Sequence, residues 1–182
     1  MPRRPRFWIP DGIYHITVRG NNRQTIFCDE ADFQRYLLEL HRCRKGWPHR
    51  VLAFALMPNH VHLLLEASPT IALSEVMREL SLGYTRYFNK RHRRVGQLYQ
   101  GRFYSNLVDR DAYLLEVTRY IHLNPVRAHL VQRPAQYPWS SFPFYAGLQE
   151  DTSGLVACAR VLECFGASPK EQVVRYRQFV EE

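Results

Sequence analysis

Two apolar runs separated by two residues constrain the fold of this chain more than any other feature. Residues 51–57 and 60–66 flank a Pro-Asn pair, and this spacing is typical of a β-hairpin. Because side chains alternate between the two faces of a strand, His60 and His62 are expected to point the same way. Imidazole is the commonest metal-ligating side chain, and a strand would hold the pair rigidly. The hairpin predicts half of a metal site, although such pairs also arise by chance on half-exposed strands.

The composition indicates one main domain with an acidic partner. The 182 residues, 46% of them hydrophobic, suffice for one sizeable core. A formal net charge of +8 favours nucleic acid as the partner, although a solvated basic face is the ordinary alternative. The four cysteines are scattered and form neither a disulfide framework nor a zinc-binding pair. Because no apolar stretch is long enough to span a bilayer, we expect a cytoplasmic protein with no membrane partner.

The order of the other elements indicates an α+β fold. The spacing of apolar residues predicts five elements around the hairpin: a strand at 14–19, helices at 29–45 and 71–92, a strand at 98–108, and a third helix that begins near 109–111 and ends near 124. The third helix is expected to end there because Pro125 disfavours helical geometry in the residue before it. This order predicts a ferredoxin-like antiparallel sheet flanked by helices.

The end of the chain is expected to form an extension that either covers the active site, adds DNA contacts or packs on the main domain. We predict a main domain over residues 1–145 and a C-terminal helical extension over 146–182. The extension is expected to contain one helix near residues 154–165 and a last helix after Ser168 and Pro169.

One stripe of the third predicted helix carries a carboxylate, a phenol and a carboxamide. Glu116, Tyr120 and Asn124 are spaced by four residues each, so they are neighbours on one helix face. A phenol is a weak nucleophile unless a metal or a base activates it or its target. A metal on His60 and His62, with the oxygen of Asn124, would polarise a phosphodiester for attack by the phenol.

Other interpretations of this stripe are open. Tyr120 is also consistent with a buried tyrosine whose hydroxyl bonds to Glu116, and Glu116 with an ordinary surface acid. Tyr113, seven residues earlier on nearly the same face, is the alternative nucleophile. The remaining histidines, His15 and His122 among them, are expected to be surface or packing residues.

Five blocks of sequence occur in a characteristic order between about residues 10 and 142. They are Gly20-Asn21-Asn22-Arg23, Met57-Pro58-Asn59-His60-Val61-His62, Gln100-Gly101-Arg102-Phe103, Tyr120-Ile121-His122-Leu123-Asn124-Pro125-Val126-Arg127-Ala128 and Tyr137-Pro138-Trp139-Ser140-Ser141. With these blocks the chain resembles the REP-associated tyrosine transposases, a branch of the single-tyrosine HUH (IS200-like) transposases.

The resemblance implies both a fold and an activity. It implies a ferredoxin-like fold, Mg²⁺ or Mn²⁺ held by His60 and His62, and Tyr120 as the nucleophile. Asn124, one helical turn after the tyrosine, matches the polar residue that completes the metal site in related enzymes. The implied reaction cleaves and rejoins single-stranded DNA at hairpins such as repetitive extragenic palindromes (REP), through a 5′-phosphotyrosine intermediate. Relatives act as monomers or as homodimers, so both states are open here.

Basic side chains in the proline-rich stretch at residues 2–8, which is expected to be an extended arm, and near the predicted strand and helix ends are candidates for phosphate contacts. They are Arg3, Arg4, Arg6, Arg19, Arg23, Arg86, Lys90, Arg91, Arg93, Arg94 and Arg102. Tyr99, Phe103 and Tyr104 are expected either to stack on bases or to belong to the core.

The histidine pair and the basic charge are also found in two other classes of protein. A histidine-triad nucleotide hydrolase is excluded, because the third alternating position is Leu64 rather than histidine. A non-catalytic module that binds single-stranded nucleic acid is the remaining alternative.

Overall fold

The computed structural model describes residues 8–109 and 111–182 of the chain. Four strands and six helices occur in these ranges: β1 (Ile13–Arg19), α1 (Glu30–Gly46), β2 (His49–Met57), β3 (His60–Ala67), α2 (Leu73–Arg91), β4 (Tyr104–Val108), α3 (Asp111–Arg127), α4 (Phe142–Tyr145), α5 (Ala159–Leu162) and α6 (Pro169–Glu181). None of the helices within the described ranges has the length and apolar character needed to cross a bilayer.

The four strands form one antiparallel sheet in the order β2-β3-β1-β4. Helix α1 connects β1 to β2 and α2 connects β3 to β4, as in a ferredoxin-like fold. The predicted fold class, an α+β ferredoxin-like antiparallel sheet flanked by helices, is confirmed. In the register of β1 and β3, Thr17 lies opposite His62 and Arg19 lies opposite His60.

Apolar side chains cover both faces of the sheet. On one face, alternate strand residues pack with α1 and α2: Ile16, Val18, Val61, Leu63, Tyr36, Leu40, Val76 and Leu80. On the other face, Ile13, Ala55 and Leu64 pack with Leu114, Val117 and Ile121 of α3 and with Tyr176 and Val180 of α6. Fully burying one large apolar side chain contributes about 1.5–3 kcal/mol, so the sheet is stabilised from both sides.

The prediction of a strand over residues 98–108 is wrong for its first half. β4 begins only at Tyr104. The preceding residues lie beside the end of β1, where the N–H of Gln100 donates to the carbonyl of Arg19 at 2.9 Å. Gly101 follows with a φ of 74°, a left-handed conformation that glycine adopts without strain, and it turns the chain. Tyr99 is therefore buried in the core, whereas Tyr104 is exposed.

Helix α3 continues past its predicted end near Asn124. It runs through Pro125 to Arg127. Proline removes one backbone donor, but the hydrogen-bond ladder resumes, because the N–H of Ala128 donates to the carbonyl of Asn124 at 2.9 Å. The loss of one bond near a helix end does not stop the helix.

The predicted helix over residues 154–165 is too long. Its second half forms α5 and a 3₁₀ turn over Glu163–Phe165. Its first part is extended, because the N–H of Ala157 donates to the carbonyl of Val51 at the sheet edge. The last predicted helix is confirmed as α6, and its first turn is capped by the Ser168 side chain.

Residues after α3 cover the outer edge of β2. The N–H of Leu56 donates to the carbonyl of Trp139 at 2.8 Å, and the N–H of Ser141 donates to the carbonyl of Phe54 at 3.0 Å. The hydroxyl of Tyr137 donates to the carbonyl of Leu56 at 2.6 Å. The Tyr137–Ser141 sequence block thus satisfies backbone groups that an open sheet edge would leave unpaired.

His122 connects α3 to this edge cover and to α6. One ring nitrogen, Nδ1, lies 2.6 Å from the hydroxyl of Tyr176, and Nε2 lies 2.7 Å from Oγ of Ser141. All three side chains are buried. Burial lowers the pKa of His122 to about 3, so the imidazole is neutral. The predicted packing role of His122 is consistent with this arrangement.

Candidate active site

The paired histidines lie on the sheet face that α3 covers. His60 and His62 begin β3, and their ring centroids are 5.0 Å apart. Because β1 pairs with β3, the polar residues Thr17 and Arg19 share that face beside them. His15 lies on the same face of β1, and its ring is stacked on that of His62 at a centroid distance of 5.2 Å. The strand pairing thus brings three imidazoles together.

Each of the paired histidines uses Nδ1 for a hydrogen bond within the protein. Nδ1 of His60 lies 2.6 Å from Oδ1 of Asn59. Nδ1 of His62 lies 3.0 Å from Nε2 of His15 and 3.4 Å from Oγ1 of Thr17. Among the described residues, neither His60 nor His62 has a hydrogen-bond partner at Nε2.

The environment of the paired imidazoles keeps them neutral. Burial and then the charge of Arg19 lower the pKa of His60 to about 4. Burial, followed by the nearby His60, His15 and Arg19, lowers the pKa of His62 to about 3. Burial also lowers the pKa of His15. A histidine must be neutral to ligate a metal, so this environment favours coordination over protonation.

Tyr120 of α3 lies over the same cluster, on the same face of the sheet. Its ring centroid lies 5.6 Å from that of His62 and 5.8 Å from that of His15, both in edge-to-face geometry. The side chain is 39% exposed, so it is neither buried nor sequestered from a ligand. The alternative of a buried structural tyrosine is therefore inconsistent with the structure.

These groups line an open cavity of about 540 Å³ between the sheet and α3. His15, Thr17, His62 and Tyr120 form part of its wall. Tyr113, Glu116, Arg119 and Arg127 of α3 form another part, and Tyr104 and Asn106 of β4 contribute as well. A cavity with imidazoles, a phenol and guanidinium groups suits an anionic ligand such as a phosphodiester.

Asn124 occupies a different position in this geometry. Its side-chain amide donates to the carbonyl of Tyr120 at 2.9 Å, and neither Asn124 nor His60 is among the residues that line the cavity. The amide nitrogen is engaged, which leaves the carbonyl oxygen as the ligand-type atom. Its role as a metal ligand stays a prediction.

The donor set fits a divalent metal ion. His60 and His62 offer neutral imidazoles whose Nε2 atoms have no protein partner, and Asn124 offers an uncharged oxygen. Three protein donors of this kind leave coordination positions for water or a phosphate oxygen. Oxygen donors suit Mg²⁺ and Mn²⁺, whereas imidazole is more typical of metals such as Zn²⁺, so these residue types favour a divalent ion without selecting one.

A second group of metal-binding residue types lies between the start of α1 and the end of α2. Ligand-type atoms of Cys28, Asp32 and His92 lie within 4.8 Å of one another. The carboxylate of Asp32 is already engaged, because Arg91 donates to it at 2.7 Å and His92 lies at 2.9 Å. The charge of Arg91 would also repel a cation. We interpret this group as an ion-pair network that joins the two helices.

Three of the predicted DNA-binding residues lie around the hairpin turn. The side-chain amide of Asn59 donates to the carbonyl of Arg23 at 3.3 Å, and the backbone of Gln100 bonds to Arg19. Arg102 follows two residues later and is exposed. The first three sequence blocks therefore meet at the end of the sheet that carries His60.

The predicted residues of α2 lie on the opposite side of the sheet from Tyr120. Arg86, Lys90 and Arg91 line a groove between α1 and α2. Arg91 also pairs with Asp29 at 2.7 Å, so its charge is partly used within the protein. These cations are therefore separated from the cavity by the sheet.

The other predicted cations are more scattered. Arg93 is exposed in the turn after α2, whereas Arg94 donates to the side chain of Gln24 and lies over the Phe88 ring. Three residues lie outside the described part of the chain: Arg3, Arg4 and Arg6.

Several residues of the cavity were not predicted from the sequence, among them His15 and Arg127. His15 was expected to be a surface or packing residue; it does pack on His62, but its place in the cavity wall was not predicted. Its alternation with Tyr14 and Ile16 was a usable signal for a polar strand face. Arg127 was missed because α3 was expected to end before it; its guanidinium carbon lies 5.3 Å from the Tyr120 ring centroid.

Comparisons with known proteins agree with this architecture. A family model for IS200-like transposases matches residues 9–124, which is more than half of the chain. A Haemophilus influenzae protein assigned as a REP-associated tyrosine transposase is 29% identical over 146 residues, covering 72% of this chain and 80% of that protein.

A solved structure is also similar in fold. It is a REP-associated tyrosine transposase bound to a REP hairpin, with a TM-score of 0.68 and 21% identity, over 78% of this chain and 83% of that one. The resemblance that the five sequence blocks indicated is thereby confirmed, and the chain belongs to the IS200-like transposase family.

Proposed function

We propose that this protein cleaves and rejoins single-stranded DNA at REP-like hairpins through a covalent bond to Tyr120. In this proposal His60, His62 and Asn124 hold Mg²⁺ or Mn²⁺. The observation that carries the proposal is the placement of an accessible Tyr120 ring 5.6 Å from that of His62 in one open cavity. A bound divalent ion would polarise the phosphodiester and neutralise charge that develops at phosphorus.

Tyr120 supplies the nucleophile of the proposed reaction. The Tyr120 hydroxyl oxygen attacks phosphorus and loses its proton, while the bond from phosphorus to the 3′ oxygen breaks and that oxygen gains a proton. The 5′ phosphate stays on the tyrosine and a free 3′ hydroxyl leaves. Because the ester retains the bond energy, another 3′ hydroxyl can reverse the step. The outcome is strand transfer without a nucleotide cofactor.

The substrate class is supported by charge and by the relatives. A net charge of +8 favours a polyanion, and Arg19, Arg23 and Arg102 surround the end of the sheet that carries His60. The structurally similar REP-associated transposase was solved bound to a REP hairpin. We therefore propose REP-like DNA hairpins with an adjoining single strand as the substrate.

Trapping of a covalent adduct tests this function. Hairpin oligonucleotides labelled at the 3′ end are incubated with the protein and Mn²⁺ and resolved on a denaturing gel, because the 3′ fragment is the one that stays attached. Wild-type protein is expected to give a metal-dependent adduct, and Tyr120→Phe is expected to give none while still binding DNA. Tyr113→Phe, which alters the alternative nucleophile in the same cavity, is expected to retain the adduct.

Two outcomes would contradict the proposal. An adduct that persists in Tyr120→Phe and disappears in Tyr113→Phe would show that Tyr113, and not Tyr120, is the nucleophile. Wild-type protein that binds the hairpins but forms no adduct with Mn²⁺ or Mg²⁺ would favour the non-catalytic binding module.

A further inference from the structure

The strand pairing brings a third imidazole, that of His15, into contact with His62. We propose that His15 is a positioning residue that holds His62 as its Nδ1–H tautomer and thereby presents Nε2 of His62 to the metal ion. This inference rests on the proposed function, because it assumes a metal at His60 and His62. His15 itself is not proposed to touch the ion.

The contact distance requires one nitrogen to donate and the other to accept. Nε2 of His15 and Nδ1 of His62 are 3.0 Å apart, which is a hydrogen-bond distance. A neutral imidazole carries its proton on only one of its two nitrogens. When Nδ1 of His62 donates, its Nε2 keeps a lone pair for a metal. The reverse arrangement would place the proton on Nε2 and block it.

The fold gives His15 a fixed place in this contact. In the sheet register His62 lies opposite Thr17, and His15 is the next residue on the same face of β1. The two rings are stacked with an interplanar angle of 22°. The hydroxyl of Thr17 lies farther away, at 3.4 Å, so His15 is the nearer acceptor for Nδ1 of His62.

His60 has a corresponding arrangement with a different partner. The side-chain amide nitrogen of Asn59 donates to the carbonyl of Arg23, so its oxygen is the atom that faces His60. A carbonyl oxygen only accepts, and Nδ1 of His60 must therefore be the donor. Both histidines then present the same nitrogen, Nε2. Acceptors behind ligating histidines commonly fix their tautomers in this way.

Mn²⁺ binding to the full chain without DNA tests the inference. Electron paramagnetic resonance of free Mn²⁺ gives the dissociation constant for wild type, His15→Phe and His15→Gln. His15→Phe keeps a ring but accepts no hydrogen bond, so its Mn²⁺ affinity is expected to fall about 10–100-fold. His15→Gln restores an acceptor oxygen and is expected to bind nearly as wild type does. His41→Phe, on α1 across the sheet, is the matched control and is expected to bind as wild type does.

Pulsed EPR of the bound Mn²⁺ separates a positioning residue from a ligand. Two coordinated imidazole nitrogens are expected in wild type and in His15→Gln. Three nitrogens in wild type, reduced to two in His15→Gln, would identify His15 as a ligand and overturn the inference. Unchanged Mn²⁺ affinity in His15→Phe would also overturn it. If that variant does not fold by circular dichroism, His15→Leu takes its place in the same comparison.

Failure of the proposed function gives a different result. Wild-type protein without Mn²⁺ binding, or with binding that survives the double change His60→Ala and His62→Ala, would remove the metal site itself. A wild type that binds Mn²⁺ at these histidines, with His15→Phe equal to it, would leave the proposed function intact and exclude only the role of His15.

Discussion

The guanidinium carbon of Arg127 lies 5.3 Å from the centroid of the Tyr120 ring, two helical turns further along α3. The two side chains are neighbours because α3 continues through Pro125 instead of ending before it. Both line the cavity that contains His15 and His62. A guanidinium group in this position offers charge and paired donors to a phosphate that approaches the phenol.

We predict that Arg127→Leu slows formation of the tyrosine adduct about 10–100-fold in single-turnover assays, because one charged donor to the transition state is lost. Mn²⁺ affinity is expected to be unchanged, and Arg127→Lys is expected to retain part of the rate. Arg177→Leu, which removes an exposed charge from α6, serves as the control for net charge. An adduct rate in Arg127→Leu equal to that of wild type would contradict the role of this arginine.

The segment that covers the edge of β2, residues 137–141, is expected to contribute to the stability of the fold. Oγ of Ser141 accepts from the N–H of Phe54 at 2.9 Å and lies 2.7 Å from His122, and the side chain is fully buried. Ser141→Ala leaves these buried groups without a partner, so the free energy of unfolding is expected to fall by about 1–3 kcal/mol. Urea unfolding followed by circular dichroism measures the change. Ser74→Ala, at an exposed position of α2, is expected to have little effect, and equal effects of the two changes would contradict the prediction.

The pH dependence of stability is expected to include His49. Its Nδ1 lies 2.7 Å from the carbonyl of Trp47, whereas its buried Nε2 has no partner. Burial lowers the pKa of His49 below its ordinary value of 6.5. As the pH falls, His49 takes up a proton in the unfolded chain before it does so in the folded protein. The contribution of neutral His49 to the free energy of unfolding is therefore present above about pH 6.5 and is lost below it.

Urea unfolding between pH 7.5 and pH 5 in wild type and His49→Asn checks this sign. The variant keeps a donor for the Trp47 carbonyl but has no imidazole to protonate. The stability of wild type is expected to fall more steeply, by up to about 1.4 kcal/mol per pH unit. Because other buried histidines are common to both proteins, the difference in slope isolates His49. Parallel curves would refute the prediction.

The two arginines of the α1–α2 groove are expected to behave differently. Arg91 pairs with Asp29 and with the buried Asp32, so Arg91→Ala is expected to lower the urea midpoint. Arg86 is exposed and no ion pair is seen for it within the described ranges. Arg86→Ala is expected to leave the midpoint unchanged and to reduce the slope of log affinity against log salt by about one. A hairpin-binding titration at several salt concentrations measures this slope, and an unchanged slope would place Arg86 outside the DNA contact.

Much of the fold follows from local pattern. Alternation along residues 60–66 predicts which histidines share a face, and the structure has His60 and His62 side by side. The capped start of α1 at Asp29 and the hairpin are likewise local features. Errors arose where long-range contacts overrode a local rule, as at residues 98–101, which hydrogen-bond to the end of β1 rather than extending β4.

The cavity residues that the sequence did not predict depend on contacts beyond the local pattern. His15 becomes adjacent to His62 only through the pairing of β1 with β3, across 47 residues of sequence. A pattern of alternation shows that two strands each have a polar face, but it does not show which residues are aligned. The same limit applies to Arg127, whose position depends on a helix that local rules for proline would end earlier.

The covered edge of β2 leaves β4 as the free side of the sheet within the part of the chain that the structure describes. If two copies paired along their β4 strands, the open edge of each sheet would be hydrogen-bonded to the other. Growth by strand addition would then stop at a pair, because neither copy would keep a second open edge among its described strands.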